Sequence, residues 1–167
     1  VTGSLGVSSG AVRAGGTSDA PSAVLSVQAN ALSSNTTLTV DTSPSTMSKA
    51  TASNLLRDAG FNATIISDVV SLEPHGQEFD KGVTLTLRIT SSAYSGTCPS
   101  NLRVFKRNGQ DPSDPWYQLP SNLYSCTTGS IEISTTSFSQ YMATEVTNMA
   151  RTKLNDNQLE KIVSSNK

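Results

Sequence analysis

Charge is what this chain has least of. Asp, Glu, Lys and Arg make up 15% of its 167 residues, and 12 basic against 13 acidic groups leave a formal net charge of −1. Average soluble proteins are roughly 25% charged. With no run of like charges, nothing can track a phosphate backbone or an anionic bilayer, so nucleic acid is excluded as an expected partner. No stretch approaches the roughly 20 apolar residues of a membrane span, and no direct membrane span is expected. Histidine occurs once, at His75, so Ser-His-Asp catalysis or a His-rich metal site would rest on that residue alone. Two cysteines cannot build a zinc site, and no spacing matches an EF-hand or a phosphate-binding loop. No metal and no cofactor are expected.

What the chain has instead is hydroxyls. Ser and Thr supply over a quarter of the residues, so polarity comes from uncharged side chains. The length suits one domain, or one with a short appendage, with a core of its own. Cys98 and Cys126 bracket a segment, Asn101 to Tyr124, that reads as two strands around a long polar turn; their side chains can meet across or beside that hairpin as a disulfide. The alternative is two reduced, buried thiols. A disulfide places the chain in an oxidising compartment, extracellular or at the cell surface. Asn35-Thr36-Thr37 and Asn62-Ala63-Thr64 are N-glycosylation acceptors by pattern, at Asn35 and Asn62.

Along the chain, residues 1–11 are rich in Gly, Ser and Thr and read as a flexible arm or a weak edge strand. Ala23 to Val27 and Thr37 to Val40 alternate apolar and polar residues, the period of half-buried strands. Between 48 and 59 the period changes: Ala52, Leu55, Leu56 and Ala59 fall at helical spacing, with Ser48 placed to cap the start and Gly60 the end. Strand character resumes from Ala63 to Leu72, and Pro74-His75-Gly76 forces a turn before Gly82 to Ile89. Leu102 to Lys106 and Trp116 to Leu119 flank a turn-rich tip, and Ser130 to Ser134 and Phe138 to Val146 complete the pattern. The fold class is mainly β: a β-sandwich or partly open barrel over residues 12–146 with one short helix. Residues 147–167 read as a linker or short C-terminal helix, with Leu159, Ile162 and Val163 on one stripe.

The order of these motifs resembles the ZU-five domain, the β-rich module shared by zonula occludens proteins, netrin receptors and ankyrins and found also in surface proteins. Gly15-Gly16 with the strand from Val24 to Leu32 is similar to the family's glycine start and first strand, and Asn35 to Val40 to the strand after it. The stretch Val70 to Leu87, with Leu72-Glu73-Pro74-His75-Gly76 and Phe79-Asp80-Lys81 inside it, resembles the block "E-L-x-P-H-G-x-x-F-x-K-P-V-x-L-x-L". Ser137-Phe138-Ser139-Gln140-Tyr141 resembles the closing "H-F-S-x-Y" strand. Gly82 stands where the family has Pro, Ala29 and Asn30 where it has Pro and Gly, and Ser137 where it often has His. The resemblance implies a non-enzymatic structural or protein-interaction module whose partners are other domains or chains of a surface assembly.

Three chemistries compete with that expectation. Some ZU-five relatives, and the related autoproteolysis-inducing domains of adhesion receptors and polycystins, cleave themselves before the Ser of "His-Phe-Ser". The resemblance places that bond between Phe138 and Ser139, with Cys98, Trp116 and Cys126 similar to the Cys/Trp framework of the receptor domains. The Ser hydroxyl needs a base, and Ser137 cannot take a proton as imidazole does. Trp116 and Tyr117, at a hairpin shoulder, could stack on a glycan or anchor a partner, although a lone Trp in a small sandwich is usually core. Asp111 and Asp114 could share a cation, but Asp beside Pro is commonly a turn-former. Thr84, Thr86 and Thr90 read as the solvent side of a strand.

Overall fold

A computed structural model of the chain describes residues 1–5 and 9–147. The C-terminal helix expected over 147–167 lies outside the described residues but for Thr147. Among the described residues the order of elements is β1 (Thr2–Leu5), β2 (Gly10–Ala14), β3 (Ala23–Val27), β4 (Thr36–Asp41), α1 (Lys49–Asp58), β5 (Ala63–Ile65), β6 (Val70–Glu73), β7 (Glu78–Arg88), β8 (Leu102–Arg107), β9 (Tyr117–Gln118), β10 (Tyr124–Thr127), β11 (Ser130–Ser137) and β12 (Gln140–Val146). They form two antiparallel sheets. One runs β1-β4-β6-β12-β8-β9 with β5 also paired to β12, and the other runs β10-β11-β7-β3-β2. The fold is a β-sandwich, with no closed barrel among the described residues.

Alternation dictates the five-stranded sheet. Val83, Leu85 and Leu87 of β7 face inward with Ile131 and Ile133 of β11 and Ala23, Leu25 and Val27 of β3, while Thr84, Thr86, Glu132 and Ser134 face out. The inner residues meet Leu38, Val40, Leu72, Val104, Tyr141 and Ala143 of the larger sheet in the main core. The larger sheet is buried on both faces at its centre. From β12, Tyr141 and Ala143 enter the main core, whereas Met142 and Val146 join Phe105, Trp116 and the Ala52 and Leu56 side chains of α1 in a second cluster. A strand covered on both sides reads as a continuous buried run, and six of the seven residues of β12 are buried.

The helix begins and ends on sequence-encoded caps. Ser48 accepts the Thr51 N–H at 3.1 Å, and at the other end Gly60, at φ 90°, donates to Arg57 O while Phe61 donates to Leu56 O. That pair of bonds satisfies carbonyls the helix end would otherwise strand, and it requires a residue at ease in the left-handed region.

Of the two alternatives for the first residues, a flexible arm or a weak edge strand, Thr2–Leu5 takes the second: Val1 and Val40 exchange backbone hydrogen bonds, both at 2.8 Å, and Gly3 lets β1 lie over Val12, where a Cβ would stand 2.7 Å from a Val12 methyl. Two elements differ from the sequence reading. The strand expected from Ala63 to Leu72 is interrupted. β5 and β6 pair with successive parts of β12, and the buried Ser67 hydroxyl bridges the gap by accepting the Ala143 N–H at 2.8 Å. The strand after the His75 turn starts at Glu78 rather than Gly82, because Phe79 packs inward on Phe138.

Candidate functional site

Phe138 and Ser139 form the crossover at which the chain leaves β11 in one sheet and enters β12 in the other. The crossover is buried: Phe138 is 1% and Ser139 2% exposed. The Phe138 ring packs on Phe79 with centroids 4.8 Å apart. Its carbonyl receives two donors, the Ser139 hydroxyl at 2.7 Å and the Gly76 N–H at 3.3 Å. Donors converging on one carbonyl oxygen stabilise negative charge there. The hydroxyl expected as the nucleophile is here a donor to the oxygen of the bond it would attack.

The group beside Ser137 is a lysine. Lys106, in register with Tyr141 across the β8–β12 pair, donates to the Ser137 hydroxyl at 2.8 Å, and its ammonium lies 5.8 Å from the Tyr141 ring centroid. Partial burial holds this amine below the ordinary lysine range. Burial pushes the Tyr141 phenol up to about 12, with the Thr135 and Ser139 hydroxyls in partial opposition. Tyr141 is thus a neutral hydroxyl, bonded to Thr135 at 2.7 Å and donating to Ser137 O at 3.0 Å.

His75 sits in the turn between β6 and β7, and its Nε2 is 3.0 Å from the hydroxyl of Ser71. A Ser–His pair invites a catalytic interpretation, but Ser71 is 2% exposed, sealed in β6 against β12. The pair fixes the turn that brings Gly76 N–H to Phe138 O.

Asp111 and Asp114 spend their carboxylates on donors of their own loop. Asp111 accepts the backbone N–H and hydroxyl of Ser113, the hydroxyl bond holding its carboxyl below the usual range. Asp114 accepts the Gln110 and Asp111 N–H groups. The loop's carbonyls point at Arg107, which donates to Asp114 O at 2.6 Å and to Asp111 O and Pro112 O at 2.8 Å. An internal guanidinium fills the centre a metal would need. Among the described residues no cluster of three His, Cys, Asp or Glu is arranged to hold a metal.

The other expected residues are dispersed. Cys98 and Cys126 form a disulfide with Cα atoms 6.1 Å apart, linking the segment before β8 to β10 of the opposite sheet. Trp116 and Tyr117 form no common platform: Trp116 is 6% exposed in the cluster under α1, while Tyr117 is 56% exposed on β9. Trp116 precedes the strand and turns into that cluster, whereas both residues of β9 are exposed. Asn35 and Asn62 are exposed in the loops before β4 and β5, on different sides of α1 in the chain. Lys106, Arg107, Gln140 and Ser71 were not legible as site residues. Their roles come from cross-strand register, for which the chain carries no local motif.

No family profile matches the chain, and no curated protein matches it.

Proposed function

We propose that this domain is a ZU-five-like structural and protein-interaction module of a secreted or cell-surface protein, working within a larger extracellular assembly and without a metal or cofactor. The Cys98–Cys126 bond carries the reading, because disulfides of structural domains persist in oxidising compartments. The hydroxyl-bearing outer face of the five-stranded sheet supports it, as do the exposed sequon residues Asn35 and Asn62. Tyr117, exposed on a two-residue edge strand, is the side chain for a partner domain to cover. The test is thiol labelling of protein from a secretory host and from a reducing cytosol. The expected result is no reactive thiol and a cooperative melt from the first, and a lower melting temperature from the second. Reactive thiols at Cys98 and Cys126 in the secreted protein would remove the basis of the extracellular assignment.

A second reading, self-cleavage, is favoured by one observation: the Phe138 carbonyl oxygen accepts the Gly76 N–H at 3.3 Å, a donor placed where negative charge would develop if the adjacent Ser139 hydroxyl attacked. In that reaction Ser139 Oγ bonds to the Phe138 carbonyl carbon, the C–N bond breaks, and the hydroxyl proton passes to the departing nitrogen. Water then hydrolyses the ester, and β12 stays in its sheet. A denaturing gel decides between the readings, one band for the intact module and two for a cleaved one.

A further inference from the structure

A cleft of about 360 Å³ opens at one end of the sandwich, away from the crossover. Its walls are the turn Ser91–Gly96 that follows β7 and the turn Thr128–Ser130 that joins β10 to β11; the loop before β3 closes one side. Hydroxyls dominate the lining, with Ser91, Ser92, Ser95 and Thr128 on the two walls, and Arg88 is the only charged residue in it. The guanidinium makes one hydrogen bond, to Ala20 O at 3.2 Å, and no carboxylate among the described residues pairs with it. Its remaining donors are unspent, and a planar fork is suited to a carboxylate.

The walls are held in place. Cys98 lies two residues beyond Gly96 and Cys126 two before Thr128, so the disulfide ties one wall to the other. At the base, the two backbones touch through glycines: a Cβ on Gly129 would stand 3.4 Å from Gly96 Cα. Ile89 N–H bonds Gly129 O at 2.9 Å and Arg88 N–H bonds Ser22 O at 2.9 Å, fixing the floor to the β10–β11 turn and to the loop before β3. A site built on stapled backbone loses little entropy when it is filled.

From the single guanidinium, the ring of hydroxyls and the stapled walls, we propose that this cleft binds a sugar bearing one carboxylate, a uronic acid residue. One cation matches one negative charge, whereas a phosphate monoester carries nearly two and a sulfated polymer many. Hydroxyls on the walls exchange hydrogen bonds with ring hydroxyls, and the lining has no apolar pocket for a peptide side chain. With no aromatic platform in the lining, the dissociation constant is on the order of a millimolar. The inference is independent of self-cleavage at Ser139.

The test is a titration followed by amide NMR, using sodium glucuronate, its methyl glycoside, glucose and sodium acetate. Glucuronate is expected to shift the amides of Ser91–Gly96 and Thr128–Ser130, with glucose and acetate at least tenfold weaker. Binding of the methyl glycoside assigns the site to chain-terminal residues, and binding of the free acid alone to the free sugar. Arg88→Gln is expected to weaken glucuronate at least tenfold with an unchanged melting temperature; Ser92→Ala, which leaves the guanidinium in place, weakens it severalfold. Absence of shifts, shifts elsewhere, acetate equal to glucuronate, or undiminished binding by a folded Arg88→Gln would each overturn the proposal.

Discussion

Arg107 donates through Nη1 to the side-chain oxygen of Gln140 at 2.7 Å, and both residues are almost wholly buried, at 1% and 0% exposed. The guanidinium's other bonds go to three carbonyls of the 108–115 loop, so four neutral acceptors hold a buried cation. Gln140 in turn donates to Thr46 at 3.3 Å, and Gly109 packs on its carboxamide, where a Cβ would come within 2.9 Å. The hairpin tip, the strand β12 and the loop before α1 thus meet on one pair of side chains.

Removing Arg107 strands those carbonyls and the Gln140 oxygen. Arg107→Met is expected to destabilise the fold by about 3 kcal/mol, read from the urea midpoint. Arg107→Lys should recover less than half of that, because a compact ammonium cannot span the acceptors. A loss below about 1 kcal/mol in Arg107→Met would show that the network is incidental.

Much of this architecture was legible in the chain. Strands such as β3 and β7 carry the two-residue period, and α1 carries both its caps in sequence. Arg107 was hidden because a charge at a strand end reads as solvent-facing, although it shares a face with Phe105. Trp116, at a hairpin shoulder beside Tyr117, reads as core or as a platform, and its packing in the cluster under α1 makes it core. The cleft walls lie some thirty residues apart and meet through the Cys98–Cys126 bond. The cysteines announced a link without announcing what it shapes.

Opening the disulfide frees a loop with a sequence separation of 28. Chain entropy puts the cost at about 3–4 kcal/mol. Cys98→Ala/Cys126→Ala protein should lose that much by denaturant unfolding; an unchanged midpoint would mean that the walls stay fixed without it.

Tyr141 makes stability fall at high pH. Between its ordinary value of 10.0 and about 12 the folded chain keeps a proton that the unfolded chain releases. The contribution is complete below the lower value and lost as pH rises through the upper, at up to about 1.4 kcal/mol per pH unit. Lys106, with its value lowered, works in the opposite direction, and Tyr94, raised by its hydrogen bond to Glu145, in the same one. Tyr141→Phe keeps both, so the gap between wild type and variant should narrow across that window. A constant gap would contradict the burial of a neutral phenol.

Asn35 and Asn62 are both exposed. Expression through a eukaryotic secretory pathway should therefore add N-glycans that a glycosidase removes, one lost in Asn35→Gln and one in Asn62→Gln. Absence of any added mass at both positions would count against the surface reading.

The intact mass of the non-reduced, glycan-free protein separates a linked, uncleaved module from its alternatives in one measurement. An intact, disulfide-linked module gives one species at the full-chain mass less two hydrogens. Two fragments meeting between Phe138 and Ser139, or a full chain carrying both free thiols, would contradict it.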